Sequence, residues 1–122
     1  MSRNTRLIRR LHLKIMITQT PHVLALAGGV GGSKLALGLS RILPPSQLTI
    51  VVNTGDDEIF HGLHVSPDLD TVMYTLSSLA DQVKGWGVAN DTFTVLGALE
   101  RYGAPNWFNI GDMDFATHIQ RT

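Results

Sequence analysis

At 122 residues with 43% apolar content, the chain is long enough for one packed domain or part of one. No run of about 18 apolar residues occurs, which excludes a membrane-spanning helix, and the absence of cysteine excludes disulfides and thiolate metal sites and fits a cytoplasmic protein. The formal net charge of zero divides unevenly: Arg3, Arg6, Arg9, Arg10 and Lys14 meet no acid in the first fourteen residues, whereas five Lys or Arg face ten Asp or Glu from Ile15 onward, an acidic body unlike a nucleic-acid binder.

Residues 1–22 read as a basic N-terminal extension. They lack the apolar stretch and small-residue cleavage site of a signal peptide, and Met16 is an alternative start. Val23-Leu24-Ala25-Leu26-Ala27 is a short apolar run closed by glycine, the pattern of a buried parallel strand. Ser33 to Leu43 places Leu35, Leu37, Leu39, Ile42 and Leu43 at helical spacing, and Pro44-Pro45 ends it. Leu48 to Val52 is a second β-branched strand, which completes a strand–helix–strand unit. Asn53 to Pro67 has no clean period and reads as a loop. Asp68 to about Ala80 reads as a helix with acids in its favoured first turn. Residues 81–89 form a loop, and Thr92 to Tyr102 a helix with Asp91 as N-cap and Gly103 as stop. Trp107 to Ile110 reads as a third strand, and Asp112 to Arg121 as a last helix.

Two segments carry the chemistry. Gly28-Gly29-Val30-Gly31-Gly32-Ser33-Lys34 reads as a loop between strand and helix, whose glycines let backbone N–H groups approach an anion at the helix N-terminus. It is not a Walker loop, because Ser33 rather than Gly precedes Lys34, nor a full dinucleotide fingerprint, because Lys34 stands where the third glycine belongs. The alternative is a tight turn without ligand. Asp56, Asp57 and Glu58 follow the second strand, and Asp68 and Asp70 lie just beyond. One or two such carboxylates suffice for Mg2+, which keeps waters and substrate oxygens as its other ligands. The alternative is a solvated acidic loop and helix-start aspartates. In an open α/β sheet both segments fall at the carboxyl ends of strands, where ligands bind. His61 and His64 lack partners for a zinc site and read as polar loop residues or substrate contacts. Trp86 and Trp107 suit packing or ring stacking. Asn109 and Asp112 sit at the end of the expected third strand.

Gly28 to Lys34, Val51-Val52-Asn53-Thr54-Gly55-Asp56-Asp57, Ser66-Pro67-Asp68-Leu69-Asp70-Thr71, Gly85-Trp86-Gly87 and the segment from Gly111 to His118 occur in this order. From Val23 onward the chain resembles the 2-phospho-L-lactate transferase family (CofD/FbiA) of deazaflavin coenzyme F-420 biosynthesis. The resemblance implies an α/β, Rossmann-like three-layer sandwich with a mostly parallel sheet, of which residues 23–122 form the N-terminal portion. It also implies a reaction: a phosphorylated three-carbon acid, phospholactate or a relative, passes from a GDP-activated donor to the ribityl hydroxyl of the deazaflavin Fo, with Mg2+ and release of GMP.

Matched residue by residue, the resemblance makes Asp70 and Asn109 deazaflavin contacts, although the second position is often Lys or Arg in the family. Asp57 and Asp68 become metal ligands, and Asp57 and Asp70 catalytic acids. Gly28, Gly29, Gly31, Gly32, Lys34 and Asn53 become substrate-binding residues. Met113 stands where the family often has arginine. A full-length member is expected to be a cytoplasmic homodimer, and this chain alone is expected not to release GMP. Two other readings compete. A nucleotide-sugar-binding regulator of a sister group typically lacks the Ser66-to-Thr71 string, and an NAD-dependent dehydrogenase is disfavoured by Lys34.

Overall fold

The computed structural model describes residues 21–122. The basic extension up to residue 20 and the alternative start at Met16 lie outside the described residues. Strands β1 (Val23–Ala27) and β2 (Leu48–Val52) pair in parallel, with Val23 opposite Leu48 and Ala27 opposite Val52. Helix α1 (Gly29–Ile42) makes the crossover, and a 3-10 turn (Pro45–Gln47) leads into β2. The strand alternation has a physical consequence. Ala25 and Ala27 turn inward, where Ala27 joins Ala36 of α1 and Val72 in one core cluster, with Ile50 and Val52 packed against it. Leu24, Leu26 and Val51 lie on the opposite face and are exposed, Leu26 by 74%. The α/β class with a parallel sheet thus agrees with the sequence pattern.

Helix α2 (Pro67–Leu76) starts with proline at its first position, where the missing N–H costs no hydrogen bond. It packs on α1 and β2. Helices α3 (Thr94–Arg101) and α4 (Asp112–Arg121) complete the chain. A second cluster joins Phe60, Val65, Leu96, Ile110 and Phe115, with Leu63, Leu99 and Phe108 beside it. No helix among the described residues is long and apolar enough to cross a membrane.

Five local expectations need correction. The glycine segment is not a loop: the helix begins at Gly29, because close packing overrides glycine's poor helix propensity. A Cβ at Gly32 would lie 3.0 Å from Ala27 Cα, so glycine at this one position lets α1 lie against β1. The stretch from Asn53 to Pro67 contains a hairpin, β3 (Glu58–Phe60) with β4 (Leu63–Val65). Its two turn residues, His61 and Gly62, both have positive φ (52° and 77°), as a type I′ turn requires.

Trp107 to Ile110 forms no strand. Trp107 and Phe108 instead fold edge-on against Phe60, with ring centroids at 5.6 and 5.9 Å, and Ile110 enters the core. The apolar run there reflects core filling rather than strand pairing. Finally, Asp91 does not cap α3. Its carboxylate accepts from the N–H of Met113 at 2.9 Å and of Asp114 at 3.4 Å, at the start of α4. Asp112 in turn accepts from Thr94 N–H at 3.2 Å and Val95 N–H at 2.9 Å, at the start of α3. The two helix N-termini therefore exchange caps. A Cβ at Gly111 would overlap the Asp91 carboxylate, so this exchange needs glycine there. Helix α2 also ends earlier than expected, at Leu76, where Ser78 takes φ 62° and the N–H groups of Leu79 and Ala80 bond back to the Tyr74 carbonyl.

Candidate active site

The carboxyl ends of β1 and β2 meet the start of α2. Asn53 continues the β ladder, its N–H donating to Ala27 O at 2.9 Å. Its side-chain amide donates to Asp68 Oδ2 at 2.8 Å, and its Oδ1 accepts from Gly55 N–H at 3.1 Å. A Cβ on Gly28 would come within 3.0 Å of Asp68 Oδ2 and 3.3 Å of Asn53 Cβ. Gly29 takes φ +57°, a conformation that L residues rarely adopt. The first helical hydrogen bond runs from Gly32 N–H to Gly28 O at 3.3 Å. The N–H groups of Gly29, Val30 and Gly31 therefore have no partner within the helix, and with the helix dipole they are the kind of helix end that can accept an anion. Gly31 is exposed, and a Cβ there meets nothing within 4 Å. Lys34 is exposed one turn further on. Gly28, Gly29, Asn53 and Asp68 thus stand together.

The acidic strand end lies beside the hairpin. Asp57 Oδ2 accepts from Ser66 Oγ at 2.9 Å and lies 3.4 Å from His64 Nε2. Asp57 Oδ1 is buried and has no hydrogen-bond partner. Leaving such an oxygen unsatisfied costs about 1–3 kcal/mol, so this atom calls for a donor or a cation. Among the described residues, no three His, Asp or Glu side chains gather as an all-protein metal cage. The free buried oxygen of Asp57 fits one protein contact to Mg2+, which takes most of its ligands from water and substrate phosphates, whereas Asp68 stands at the glycine turn with Oδ2 taken by Asn53. Asp57 lines a hollow of about 470 Å3 with Gly55, Asp56 and Glu58.

That hollow shares Val65, Pro67, Trp107 and Phe108 with a second cavity of about 360 Å3. The second cavity is walled by Tyr74, Trp86, Trp107 and Phe108, and both Asp70 and Asn109 line it. Its volume and mostly apolar wall suit a small organic ligand oriented by a few polar groups. Asp70 is 5% exposed and forms a two-point ion pair with Arg121, in which Nη1 donates to Oδ2 at 3.2 Å and Nη2 to Oδ1. The Asp70 hydrogen bond in turn holds Arg121 above its usual range. Burial pushes the Tyr74 hydroxyl up; it donates to Thr117 Oγ1 at 2.9 Å. Burial likewise raises the Asp114 carboxyl and lowers the His118 imidazole, favouring the neutral forms of both.

The loop at residues 81–89 joins the two regions. Gly85 has φ +80°, and a Cβ there would lie 2.9 Å from Val30 Cγ1 in the first turn of α1. The next residue, Trp86, is a wall of the aromatic cavity.

The family model described as 2-phospho-L-lactate transferase CofD matches residues 23–122. The chain belongs to the CofD family. Relatives of the chain carry the name phosphoenolpyruvate transferase. The one from Streptomyces avermitilis is 50% identical over 101 residues, covering 82% of this chain and 32% of the relative. The one from Nocardia farcinica is 43% identical over 112 residues (91% and 34%), and the one from Mycobacterium tuberculosis 46% over 114 residues (82% and 34%). The chain spans about a third of the length of these curated CofD relatives.

The sequence-predicted residues therefore fall into three adjoining groups: the glycine turn with Asn53 and Asp68, the hollow with Asp57, and the cavity with Asp70 and Asn109. Sequence reasoning missed Tyr74, Asp114, His118 and Arg121. A signal existed. Asp114, His118 and Arg121 are spaced i, i+4, i+7 on α4, and such a stripe shares one helical face. Here that face meets Asp70 of α2.

Proposed function

We propose that this chain carries the phosphate-binding turn and the acceptor cavity of a transferase in coenzyme F-420 biosynthesis. In this reading the enzyme moves a phosphorylated three-carbon acid from a GDP-activated donor to the ribityl hydroxyl of Fo and releases GMP. The relatives' name favours phosphoenolpyruvate over phospholactate as the group transferred. One observation carries the reading. Asp70 and Asn109, matched separately to deazaflavin contacts, line one cavity with Trp86, Trp107 and Phe108, whose flat rings suit a planar heteroaromatic.

The chemistry follows from the groups present. The hydroxyl oxygen attacks the phosphorus that bears the three-carbon acid, and the bond to the GMP oxygen breaks. Such a transfer depends on positioning and charge neutralisation. The N–H groups at Gly29 to Gly31, with Lys34, bind oxygens of the donor's diphosphate. Asp57 and Asp68 would hold Mg2+, which when bound neutralises phosphate charge. Asp70 and Asn109 orient Fo, and Asp57 and Asp70 are the acids assigned to the reacting centre. The full-length enzyme is proposed as a cytoplasmic homodimer.

The test is a fluorescence titration of Fo with the chain. Binding in the cavity should quench Fo emission and the emission of Trp86 and Trp107, and Asp70→Asn should weaken it at least tenfold. A nucleotide-binding regulator would leave Fo emission unchanged, and that result would reject the acceptor reading.

A further inference from the structure

His118 is a buried titratable group to which nothing so far gives a task. It is 2% exposed, lines the aromatic cavity, and has a buried Nδ1 without a hydrogen-bond partner. Nδ1 lies 3.7 Å from Asp70 Oδ2. Asp70 is pinned through both oxygens by Arg121, so it is poorly placed to take a proton itself but well placed to orient an imidazole. Hydrogen bonds in a catalytic dyad are often long until substrate binds. The arrangement has the order nucleophile, base and orienting acid, with the nucleophile supplied by the ligand.

We propose that His118 is the proton acceptor for the attacking hydroxyl of the acceptor, and that Asp70, held by Arg121, is its positioning residue. This rests on the acceptor reading above. As the acceptor oxygen forms its bond to phosphorus, its O–H bond breaks and the proton goes to His118 Nε2. The electron pair of the breaking P–O bond leaves with GMP. Asp70 stabilises the resulting imidazolium from the Nδ1 side, and the proton passes to solvent after product leaves. The neutral imidazole favoured by burial is the form this role needs. The charged groups facing His118 are Asp70 on α2 and Asp114 and Arg121 on its own helix. Tyr74 on α2 lines the same cavity as His118.

The experiment is a pH titration of the chain labelled with 15N at its histidine rings, followed by NMR, alone, with Fo, and with the deazaflavin ring lacking its ribityl chain. A hydroxyl donating to neutral His118 opposes protonation, so Fo should lower its midpoint by about half a unit to one unit, the size of one net hydrogen bond. The ring without hydroxyls should bind but leave the midpoint unmoved. Asp70→Asn should lower the midpoint in the free chain, through loss of the carboxylate that favours imidazolium.

Quenched Fo emission without a His118 shift would overturn the role of His118 while the acceptor reading stands. Equal shifts from both ligands would mean contact with the ring rather than the hydroxyl and would also overturn it. Unchanged Fo emission would remove the acceptor reading, and the proposal with it. If Asp70→Asn fails to fold, the Fo comparison on the unaltered chain still decides.

Discussion

Replacing Gly31 with alanine should separate folding from phosphate binding. A methyl group at Gly31 meets nothing within 4 Å, and the same is true of Gly38 two turns further along α1. Neither glycine has a left-handed φ, so alanine fits both backbones. In a helix interior alanine is favoured over glycine by about 0.8–1 kcal/mol. Gly38→Ala should therefore raise Tm by roughly 3–4 °C for a domain of this size, and Gly31→Ala, in the first turn, by a smaller amount. Packing of the free protein thus gives no reason for glycine at position 31.

A phosphate at the open N–H groups of Gly29, Val30 and Gly31 does give one. A methyl there intrudes on the ligand, and overpacking of one methylene or methyl costs about 1–3 kcal/mol, or roughly 5- to 150-fold in affinity. The assay is calorimetric titration of the chain with GDP and Mg2+, beside thermal unfolding of each variant. Gly31→Ala should be at least as stable as the parent yet bind GDP at least fivefold more weakly, while Gly38→Ala binds normally. Unchanged GDP affinity in Gly31→Ala would refute the placement of the phosphate.

Three other outcomes follow from the same geometry. Asp91→Ala removes the cap of α4 and should cost about 1–2 kcal/mol, read as a lower urea midpoint with an unchanged slope. Arg121→Met leaves the Asp70 charge buried without its partner, a loss on the order of 3–5 kcal/mol, and adding Asp70→Asn to that variant should recover part of the lost stability in the same urea assay. The Thr92 hydroxyl, followed by the Val95 and Thr94 N–H groups, holds the Asp112 carboxyl below its ordinary 3.8. A carboxyl depressed by folding stabilises the fold above its unfolded value and stops doing so as pH falls through its folded value. Urea midpoints should therefore decline from about pH 4 downward, and less steeply in Asp112→Asn.

The elements read best from sequence were those whose signal is local. Val23–Ala27 and Leu48–Val52 are continuous apolar runs, and Asp112–Arg121 has acids at its start and Arg121 at its end; all three have the expected bounds. Gly103 ends α3 with φ +80°, as a helix stop should. The misread elements depend on partners distant in sequence. Trp107 and Phe108 look like strand residues until Phe60 is brought beside them. Asp91 looks like a cap for the helix that follows it, whereas its oxygens reach α4, across more than twenty residues. The hairpin could have been found, because His61-Gly62 is a turn pair of the type I′ kind flanked by short apolar stretches.

Within the site, the glycines and acids stood out because their residue types are unusual in number and spacing. His118 and Arg121 did not. A single histidine or arginine on a helix has many ordinary uses, and its significance here comes from Asp70, which lies about fifty residues earlier. The relation between the aromatic cavity and the acidic hollow was likewise hidden, since Val65, Pro67, Trp107 and Phe108 form their common wall only after folding.

If the glycine turn holds phosphate and the aromatic cavity holds the acceptor, the two ligands act on separate, neighbouring sets of residues. The most direct measurement is the backbone and indole 15N–1H spectrum of the chain, titrated separately with GDP plus Mg2+ and with Fo. GDP should move the signals of Gly28, Gly29, Gly31, Gly32 and Asn53, and Fo those of Thr71, Trp86, Trp107 and Asn109. Shifts by both ligands in the same set, or none by Fo at concentrations that saturate GDP binding, would contradict the account.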